Sequence, residues 1–433
     1  MTTSHEQEHE HVPAVDAAWL RMDGPTNAMV ITAVMIFDDA PLFSDFMALV
    51  RERLIPHRRF RERVVEPPLG RPYWAHDRHF DVEAHVHRIA LPAPGDQATL
   101  EALVGDLAST PLDRSKPLWQ VHWVEGFGRG AALIARLHHA MGDGVALVRF
   151  LLGLADEGHV LAPPDVGVSI PEPHGAVEHA KVAAAQAATL ARLLLIPSDD
   201  PNPLKGDLGT QKRAAWSPAI PLDDVKALAR VVGGKANDVL LGALTGALAT
   251  HLASRGPLPH AFRALTPVYV KRDDDGEALG NHFGLVYLDL PLDVTGPLER
   301  IREVKRRMDA IKAQPDAVVA LGVLSAMGLA TNELEHIGIE LFTKKATVMI
   351  TNAPGPPVPI HFAGKRLTDL MVWAPVSGHI GIGLSLVSYA GRVRLGIAAD
   401  ARLLPDPSEL GRAFVAELER ARRLASLTSC NEA

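Results

Sequence analysis

Two kinds of apolar run alternate along most of the chain, and this alternation constrains its fold more than any other feature. Residues 26–38 and 131–139 are rich in aliphatic side chains and predict strands, whereas residues 41–55 have helical spacing. The second half repeats the mixture, with a predicted strand at 346–352 and a predicted closing helix at about 407–425. Such alternation is typical of α/β proteins, so we predict mixed sheets flanked by helices.

The length of the chain and a proline-rich stretch near its middle predict two domains. At 433 residues the chain is longer than one hydrophobic core usually serves. Residues 161–215 combine several prolines, an alanine-rich helical segment and many turn residues, and they form the predicted crossover linker. We therefore expect an N-terminal domain over 1–160 and a C-terminal domain over 216–433, with a cleft between them.

The net charge and the cysteine content limit which binding partners and which cellular compartment we expect for this protein. The formal net charge is -7 at pH 7, which argues against a nucleic-acid partner because phosphate binding favours an excess of Lys and Arg. Cys430 is the single cysteine, so an intrachain disulfide and a cysteine metal cluster are excluded, and a cytoplasmic location is expected. The polar N-terminus predicts no secretory signal, and the apolar runs are too short or too interrupted to predict a transmembrane segment.

The stretch HHAMGDG, residues 138–144, carries the clearest chemical signal. It follows a predicted strand, so His138 and His139 should point to opposite faces, one of them towards the cleft. A neutral imidazole with an ordinary pKa of about 6.5 is suited to remove a proton from a hydroxyl group. The glycines on either side of Asp143 predict a tight turn, from which the carboxylate can orient an imidazole or pair with an arginine.

Two plainer interpretations of the histidine pair stay open. Adjacent histidines can simply end a strand, since many matches to short motifs have no chemical role. A metal site is the other, because His139 and Asp143 would share one face of a helix, although the glycines disfavour a helix there. The chain has no Gly-x-Ser-x-Gly elbow and no cysteine near the histidines. Direct transfer between two bound substrates is therefore favoured over an acyl-enzyme.

Together with other segments, these residues resemble the bacterial wax-ester synthase/diacylglycerol acyltransferase family. HHAMGDG fits the His-His-x-x-x-Asp-Gly signature of CoA-dependent acyltransferases with a chloramphenicol-acetyltransferase-like fold. The resemblance runs in order from about residue 12 to the final helix. The other segments that carry it are 12–31, 71–96, 111–119, 236–244, 351–357 and 364–400.

The resemblance implies two acyltransferase-like domains with an active-site tunnel at their interface. It implies acyl-CoA as the donor, no further cofactor or metal, and a hydroxyl group of diacylglycerol or of a long-chain alcohol as the acceptor. His139 is then the general base, His138 a supporting residue, Asp143 a structural residue and Gly144 a turn residue. Asn237 is expected to cap a helix or to help hold the oxyanion. Because the acceptor is a lipid, we expect peripheral attachment to a membrane or a lipid droplet.

A further group of residues is expected to shape the cleft rather than to react. One part is a Pro-Leu-Trp element that should pack beside the histidine strand, and the other is a proline-rich loop. These residues are Pro117, Leu118, Trp119, Thr351, Asn352, Pro354 and Gly355.

Three alternative functions remain at this level. An acyltransferase of the same fold can use another thioester donor or another acceptor. A lipid-binding protein without catalytic activity would bind acyl-CoA and release no thiol. A metal-dependent hydrolase would need a bound metal ion.

Overall fold

A computed structural model places most strands of the chain in two principal sheets. It describes residues 10–68, 70–142, 153–158, 167–169, 176–271, 283–314, 316–327 and 332–431. The helices are α1 Ala14–Met22, α2 Phe43–Leu49, α3 Gln97–Ala108, α4 Ala176–Leu195, α5 Leu222–Val232, α6 Ala236–Ala253, α7 Pro297–Lys312, α8 Asp316–Met327, α9 Asn332–Thr343 and α10 Pro407–Asn431. The strands are β1 Val30–Phe37, β2 Glu62–Val65, β3 Tyr73–His76, β4 Val86–Ala90, β5 Trp119–Phe127, β6 Gly130–His138, β7 Gly167–Ser169, β8 Lys212–Trp216, β9 Ile220–Pro221, β10 Arg263–Lys271, β11 Phe283–Asp289, β12 Val348–Pro354, β13 His361–Phe362, β14 Lys365–Arg366, β15 Asp369–Trp373, β16 Ile382–Tyr389 and β17 Arg392–Asp400.

The first sheet has the order β15-β1-β6-β5-β4 and is covered on both faces. Alternate residues of β1, such as Ile31 and Met35, pack with α1 and α2 on one face. The other set, which includes Val34 and Ile36, packs with α3 and with β8. Every residue of β1 is therefore buried, and this explains its uninterrupted apolar sequence.

The second sheet has the order β11-β10-β12-β16-β17-β8, with β7 and β9 added beside β10 and β17. Its parallel pairs are β7 with β10, β10 with β12 and β12 with β16. Helices α5, α6, α7 and α10 form a common core with its strands. Residues Asp238–Ala249 of α6 are buried without exception, so this helix lies at the centre of the second half.

One strand crosses from the second half of the sequence into the first sheet. β15 pairs antiparallel with β1, in a register that sets Thr32 opposite Trp373 and Ile36 opposite Asp369. The predicted C-terminal range 216–433 is therefore not one closed unit in space. β15 forms one edge of the first sheet, although it lies in the predicted C-terminal range. Main-chain hydrogen bonds can join strands that are distant in sequence.

Most of the predicted elements are present, with small shifts of their ends. The hairpin predicted around residues 128–130 joins β5 to β6, and Gly128 has a φ of +56° in its turn. The predicted helix at 41–55 is shorter, because α2 ends at Leu49 and a π-helical turn continues over Val50–Leu54. In the described part of the chain, every helix is either too short or too polar to cross a lipid bilayer.

Gly284 of β11 offers a test of the packing between the second sheet and α8. A Cβ atom at this position would lie 1.7 Å from the backbone oxygen of Ala317. We expect Gly284→Ala to destabilise the protein by about 1–3 kcal/mol, because a backbone atom has to move. The measurement is the midpoint of urea unfolding.

Gly322 in the neighbouring helix α8 provides the matched control. A Cβ atom there meets nothing within 4 Å. Gly322→Ala should raise stability by about 0.5–1 kcal/mol, because alanine favours the helix. Equal midpoints for Gly284→Ala and the wild type would contradict the packing described here.

Candidate active site

Main-chain hydrogen bonds hold both histidines of the motif in place. β6 ends at His138, whose register partner on β1 is Val30. The His138 N–H donates to the Leu118 carbonyl at 2.9 Å, and the His139 N–H donates to the Met29 carbonyl at 2.8 Å. The two residues are therefore fixed from both neighbouring strands, and a 3₁₀ turn over His139–Met141 follows.

The ring of His138 is buried and has a defined tautomer. Its Nδ1 accepts a hydrogen bond from the Ala140 N–H at 3.0 Å, so a neutral ring carries its proton on Nε2. Nε2 lies 3.7 Å from Oδ2 of Asp23, which is too long for a hydrogen bond. Burial lowers the pKa of His138, although Asp23 opposes that shift. Burial therefore favours the neutral ring, which faces the Asp23 carboxylate.

Asp23 and Arg114 complete this arrangement, and the sequence analysis did not single out either of them. The Asp23 carboxylate accepts from the Met29 N–H at 2.8 Å and forms an ion pair with Arg114 at 3.3 Å. Burial acts to raise the pKa of Asp23, but His138, the Met29 N–H and Arg114 together lower it. Asp23 lies in the segment 12–31 and Arg114 in the segment 111–119, and both segments carry the family resemblance. Neither segment contains a pattern that predicts contact between the two side chains.

His139 lies where the two halves of the protein meet. Its ring stacks on Trp19 of α1, with centroids 4.2 Å apart and planes at 21°. Phe283, at the start of β11 in the second sheet, has its centroid 5.7 Å from that of His139. The ring is only 4% exposed, so both histidines are buried, whereas we expected one to face an open cleft.

Two residues of the motif lie outside the described part of the chain. These are Asp143 and Gly144, and their predicted structural and turn roles remain predictions. The tunnel at the domain interface also remains a prediction. Within the described residues, no group of three or more His, Cys, Asp or Glu side chains is arranged to hold a metal ion.

The Pro-Leu-Trp element is buried beside the histidine strand. Leu118 supplies the carbonyl that accepts from the His138 N–H, and Pro117 precedes it in the buried segment. The Trp119 Nε1–H donates to the Phe60 carbonyl at 2.9 Å, and the Trp119 ring stacks on His85 at 4.5 Å. These are packing contacts that support the strand carrying the histidines.

Asn237 does not cap its helix. Helix α6 begins at Ala236, and the Asp238 carboxylate accepts from the Lys235 N–H at 2.7 Å. Asn237 is therefore the second residue of the helix, because the acidic residue at the third position places the cap one residue before Ala236. Its Oδ1 accepts instead from the Asn352 amide at 3.2 Å, so the two predicted motifs do meet.

The two faces of β12 separate the predicted residues of the proline-rich loop. Thr351 and Phe283 share one face of the second sheet, as the register of β10 with β11 and β12 requires. Thr351 Oγ1 lies 2.9 Å from the Ser385 hydroxyl on that face. Asn352 points to the opposite face, together with Asn237. Their amides are therefore not on the His139 side of the sheet.

The end of β12 is close-packed against β16. Pro354 is exposed, and the Gly355 N–H donates to the Ser388 carbonyl at 2.7 Å. A Cβ atom at Gly355 would lie 2.6 Å from the same oxygen. A side chain at Gly355 would therefore push the loop away from the sheet.

A small apolar cavity of about 60 Å³ lies near the histidine end of β1. Val30 and Thr32 line it from β1, Val104 from α3, Trp373 from β15 and Ala398 from β17. It therefore lies between the two sheets, on the α3 face of the first sheet.

Two family models match this chain, one near each end of the sequence. Residues 12–172 match the model of the wax ester synthase/diacylglycerol acyltransferase catalytic domain. Residues 279–421 match the model of the WS/DGAT C-terminal domain. The chain belongs to the wax ester synthase/diacylglycerol acyltransferase family. The family prediction from the sequence is thereby confirmed.

Curated relatives of this family align over nearly the whole chain. A Mycobacterium tuberculosis protein with the name "Probable diacyglycerol O-acyltransferase tgs1" is 28% identical over 434 residues, which cover 93% of each chain. Another from the same species, Rv1760, is 28% identical and covers 92% of this chain and 87% of its own.

Solved structures share the fold. The wax ester synthase/diacylglycerol acyltransferase of Marinobacter aquaeolei VT8 superposes with a TM-score of 0.73 at 23% identity, over 96% of this chain and 100% of that chain. The starter condensation domain of rhizomide synthetase superposes with a TM-score of 0.60 at 14% identity, over 96% and 94%. The predicted chloramphenicol-acetyltransferase-like fold, with mixed sheets flanked by helices, is confirmed.

The charge of Asp23 should affect how the melting temperature of this protein changes with pH in acid. Its folded pKa is lowered from 3.8, so its ionised form stabilises the fold above that pH, and the contribution is lost as pH falls through the folded pKa. Asp23→Asn keeps an acceptor for the Met29 N–H and removes the charge. We expect the melting temperature of the wild type to fall more steeply than that of the variant below about pH 4. Parallel curves would refute the coupling of Asp23 to His138 and Arg114.

Proposed function

We propose that this protein is an O-acyltransferase that moves a long-chain acyl group from acyl-CoA to diacylglycerol or to a long-chain alcohol. The products are triacylglycerol or a wax ester, and free CoA. The observation that carries the proposal is the position of His139, which lies between Trp19 and Phe283 where the two halves meet, within a family of acyltransferases.

His139 acts as the general base in this proposal. The acceptor oxygen attacks the thioester carbonyl carbon while the His139 imidazole removes its proton. The tetrahedral intermediate then collapses, the bond to sulfur breaks, and the imidazolium returns the proton to the CoA thiolate. A thiol pKa of about 8.5 makes CoA a fair leaving group. No acyl-enzyme forms, so both substrates have to be bound together.

The neighbours of His139 support this role by restricting its movement. Stacking on Trp19 limits rotation of the ring, and the hydrogen bond to Met29 holds its backbone. His138 and Asp23 act one step away, since they hold the start of the turn.

Peripheral attachment to a lipid surface is part of the proposal, and an exposed apolar patch supports it. The end of α4 and helix α9 meet where Lys345 donates to the Leu193 and Leu194 carbonyls. Each of these two helices carries two exposed apolar residues, and we propose that the four form one surface, which we call the leucine patch. They are Leu194, Leu195, Ile337 and Leu341, and their exposed fractions are 43%, 81%, 64% and 41%.

A series of packed helices connects the leucine patch to the candidate active site. Helix α4 packs on α8, and α8 in turn packs on α1, which carries Trp19. Arg192 and Lys344 lie nearby, but they form ion pairs with Asp316 and Glu340, so the apolar side chains and not the charge are expected to drive attachment. A lipid surface that covers the patch would therefore bring its lipids to the His139 side of the protein.

Replacing His139 with alanine tests the acyl-transfer proposal. The assay offers palmitoyl-CoA with hexadecanol or with diacylglycerol, and follows thiol release and the lipid product. Loss of the base should lower the turnover by about a hundredfold to ten-thousandfold. His76→Ala, at an exposed position on β3, is the matched control and should leave turnover unchanged. A folded His139→Ala variant with wild-type turnover would rule out the assigned base.

The same assay separates the alternative functions. Activity with an acyl-carrier protein or acetyl-CoA in place of palmitoyl-CoA would indicate another donor. Binding of acyl-CoA without thiol release would indicate a lipid-binding protein. Thiol release that stops with a chelator, together with stoichiometric metal by elemental analysis, would indicate a metal-dependent hydrolase.

Charged substitutions in the leucine patch test the attachment to lipid. Leu195→Asp combined with Ile337→Asp should reduce co-flotation with anionic phospholipid vesicles, because two carboxylates would have to enter the interface. Leu427→Asp is the matched control, since Leu427 is also 64% exposed but lies on α10. Equal flotation of the double variant and the control would mean that the leucine patch is not the attachment surface.

A further inference from the structure

A second cavity, of about 350 Å³, lies at the opposite end of β1 from the histidines. Ile36 and Asp38 line it at the end of β1, whereas His138 pairs with Val30 at the start of that strand. The step from Val30 to Ile36 corresponds to about 20 Å along the strand, at about 3.3 Å per residue. We call this space the arginine cavity, because Arg366, Arg392 and Arg394 line it.

The hydrogen bonds and ion pairs of these arginines leave two of them without a carboxylate partner. Arg394 forms an ion pair with Asp369 and donates to the Ser217 carbonyl at 2.7 Å. Arg392 donates to the Thr368 carbonyl at 2.9 Å. In the described part of the chain, neither Arg366 nor Arg392 has a carboxylate within ion-pair distance.

The remaining wall carries one further charge and several apolar groups. Asp38 lies at the rim, where its Oδ1 is 3.4 Å from the Thr368 hydroxyl. Phe127 and Trp216 supply aromatic surface. Gln97, the first residue of α3, also lines the cavity, and its amide donates to Glu101 and to the Trp216 carbonyl. With Asp369 neutralised by Arg394, the arginine cavity keeps a net positive charge.

We propose that the arginine cavity binds the phosphorylated end of a small molecule. Planar guanidinium groups hold phosphate oxygens by paired hydrogen bonds, and Arg366 and Arg392 approach the cavity from two different elements, β14 and β17. The aromatic wall suits a planar or apolar part of the same ligand. Two sources supply this chemistry: the nucleotide end of CoA, or a separate phosphorylated effector.

The placement of the cavity is compatible with either source. The arginine cavity and the apolar cavity beside Val30 both lie on the α3 face of the first sheet, one at each end of β1. Trp216 lines the first and Trp373 the second, and these two rings pack with centroids 5.9 Å apart. A CoA molecule bound in the arginine cavity would have to pass this tryptophan pair and then the end of β1, because His139 lies on the other face of the sheet. An effector would stay in the arginine cavity. The CoA alternative rests on the proposed function, and the effector alternative does not.

Titration with pyrophosphate at constant ionic strength tests the site without any catalytic step. The full-length protein should bind pyrophosphate, and Arg366→Gln combined with Arg392→Gln should weaken binding at least about tenfold. Lys365→Gln combined with Arg412→Gln is the matched control. It removes the same charge from residues that do not line the cavity, and it should bind as the wild type does. Equal binding by both double variants, or no binding by the wild type, overturns the proposal.

A second measurement identifies the source of the phosphate. If the nucleotide end of CoA occupies the arginine cavity, Arg366→Gln with Arg392→Gln should raise KM for palmitoyl-CoA about tenfold and leave kcat near that of the wild type. If KM is unchanged while pyrophosphate binding is lost, the ligand is a separate phosphorylated molecule. Because the pyrophosphate titration needs no turnover, a failure of the proposed function leaves it fully interpretable.

Discussion

The antiparallel pairing of β15 with β1 is the interaction on which the rest of the structure depends. It inserts a strand from the second half of the chain into the first sheet, so the two halves share main-chain hydrogen bonds as well as side-chain contacts. The chain then returns to β16 in the second sheet. This route holds the α3 face of the first sheet close to β8 and β17, and it forms the two cavities between the sheets. The other hydrogen bonds between the halves, such as that from the Asp156 N–H to the His361 carbonyl, are isolated and do not form a ladder.

The histidine pair shows how one strand end can serve two purposes. His138 is buried beside Asp23, and its Nδ1 accepts a backbone hydrogen bond that holds the turn. His139, the next residue, turns to the other side of the strand and stacks on Trp19. Its second aromatic neighbour, Phe283, comes from the other half of the protein. In the proposed mechanism the His139 ring is therefore held between the two halves, because Trp19 comes from the first half and Phe283 from the second.

The charges of the protein are distributed so that the two ends of β1 differ in character. The histidine end meets an apolar cavity and a neutral His138. The far end meets three arginines, one of which is neutralised by Asp369. Such a division suits an amphipathic ligand, since alkyl groups favour burial and phosphates favour cationic groups. The tryptophan pair between the cavities is the physical boundary between these environments.

Local sequence patterns were sufficient to predict the secondary-structure elements and the segment that carries the histidine motif. Period-two and helical patterns predicted β1, β6 and the closing helix, and the glycine at 128 predicted the hairpin, because each of these depends on residues near in sequence. The motif at 138–144 and the other resembling segments identified the family, because each of them is a local sequence pattern. The contacts between distant residues could be seen only in the folded protein. Asp23 meets His138 and Arg114, Phe283 meets His139, and Asn237 meets Asn352 instead of capping a helix. Contacts of this kind arise when main-chain pairing and burial bring separate segments together, and no local pattern records the partner.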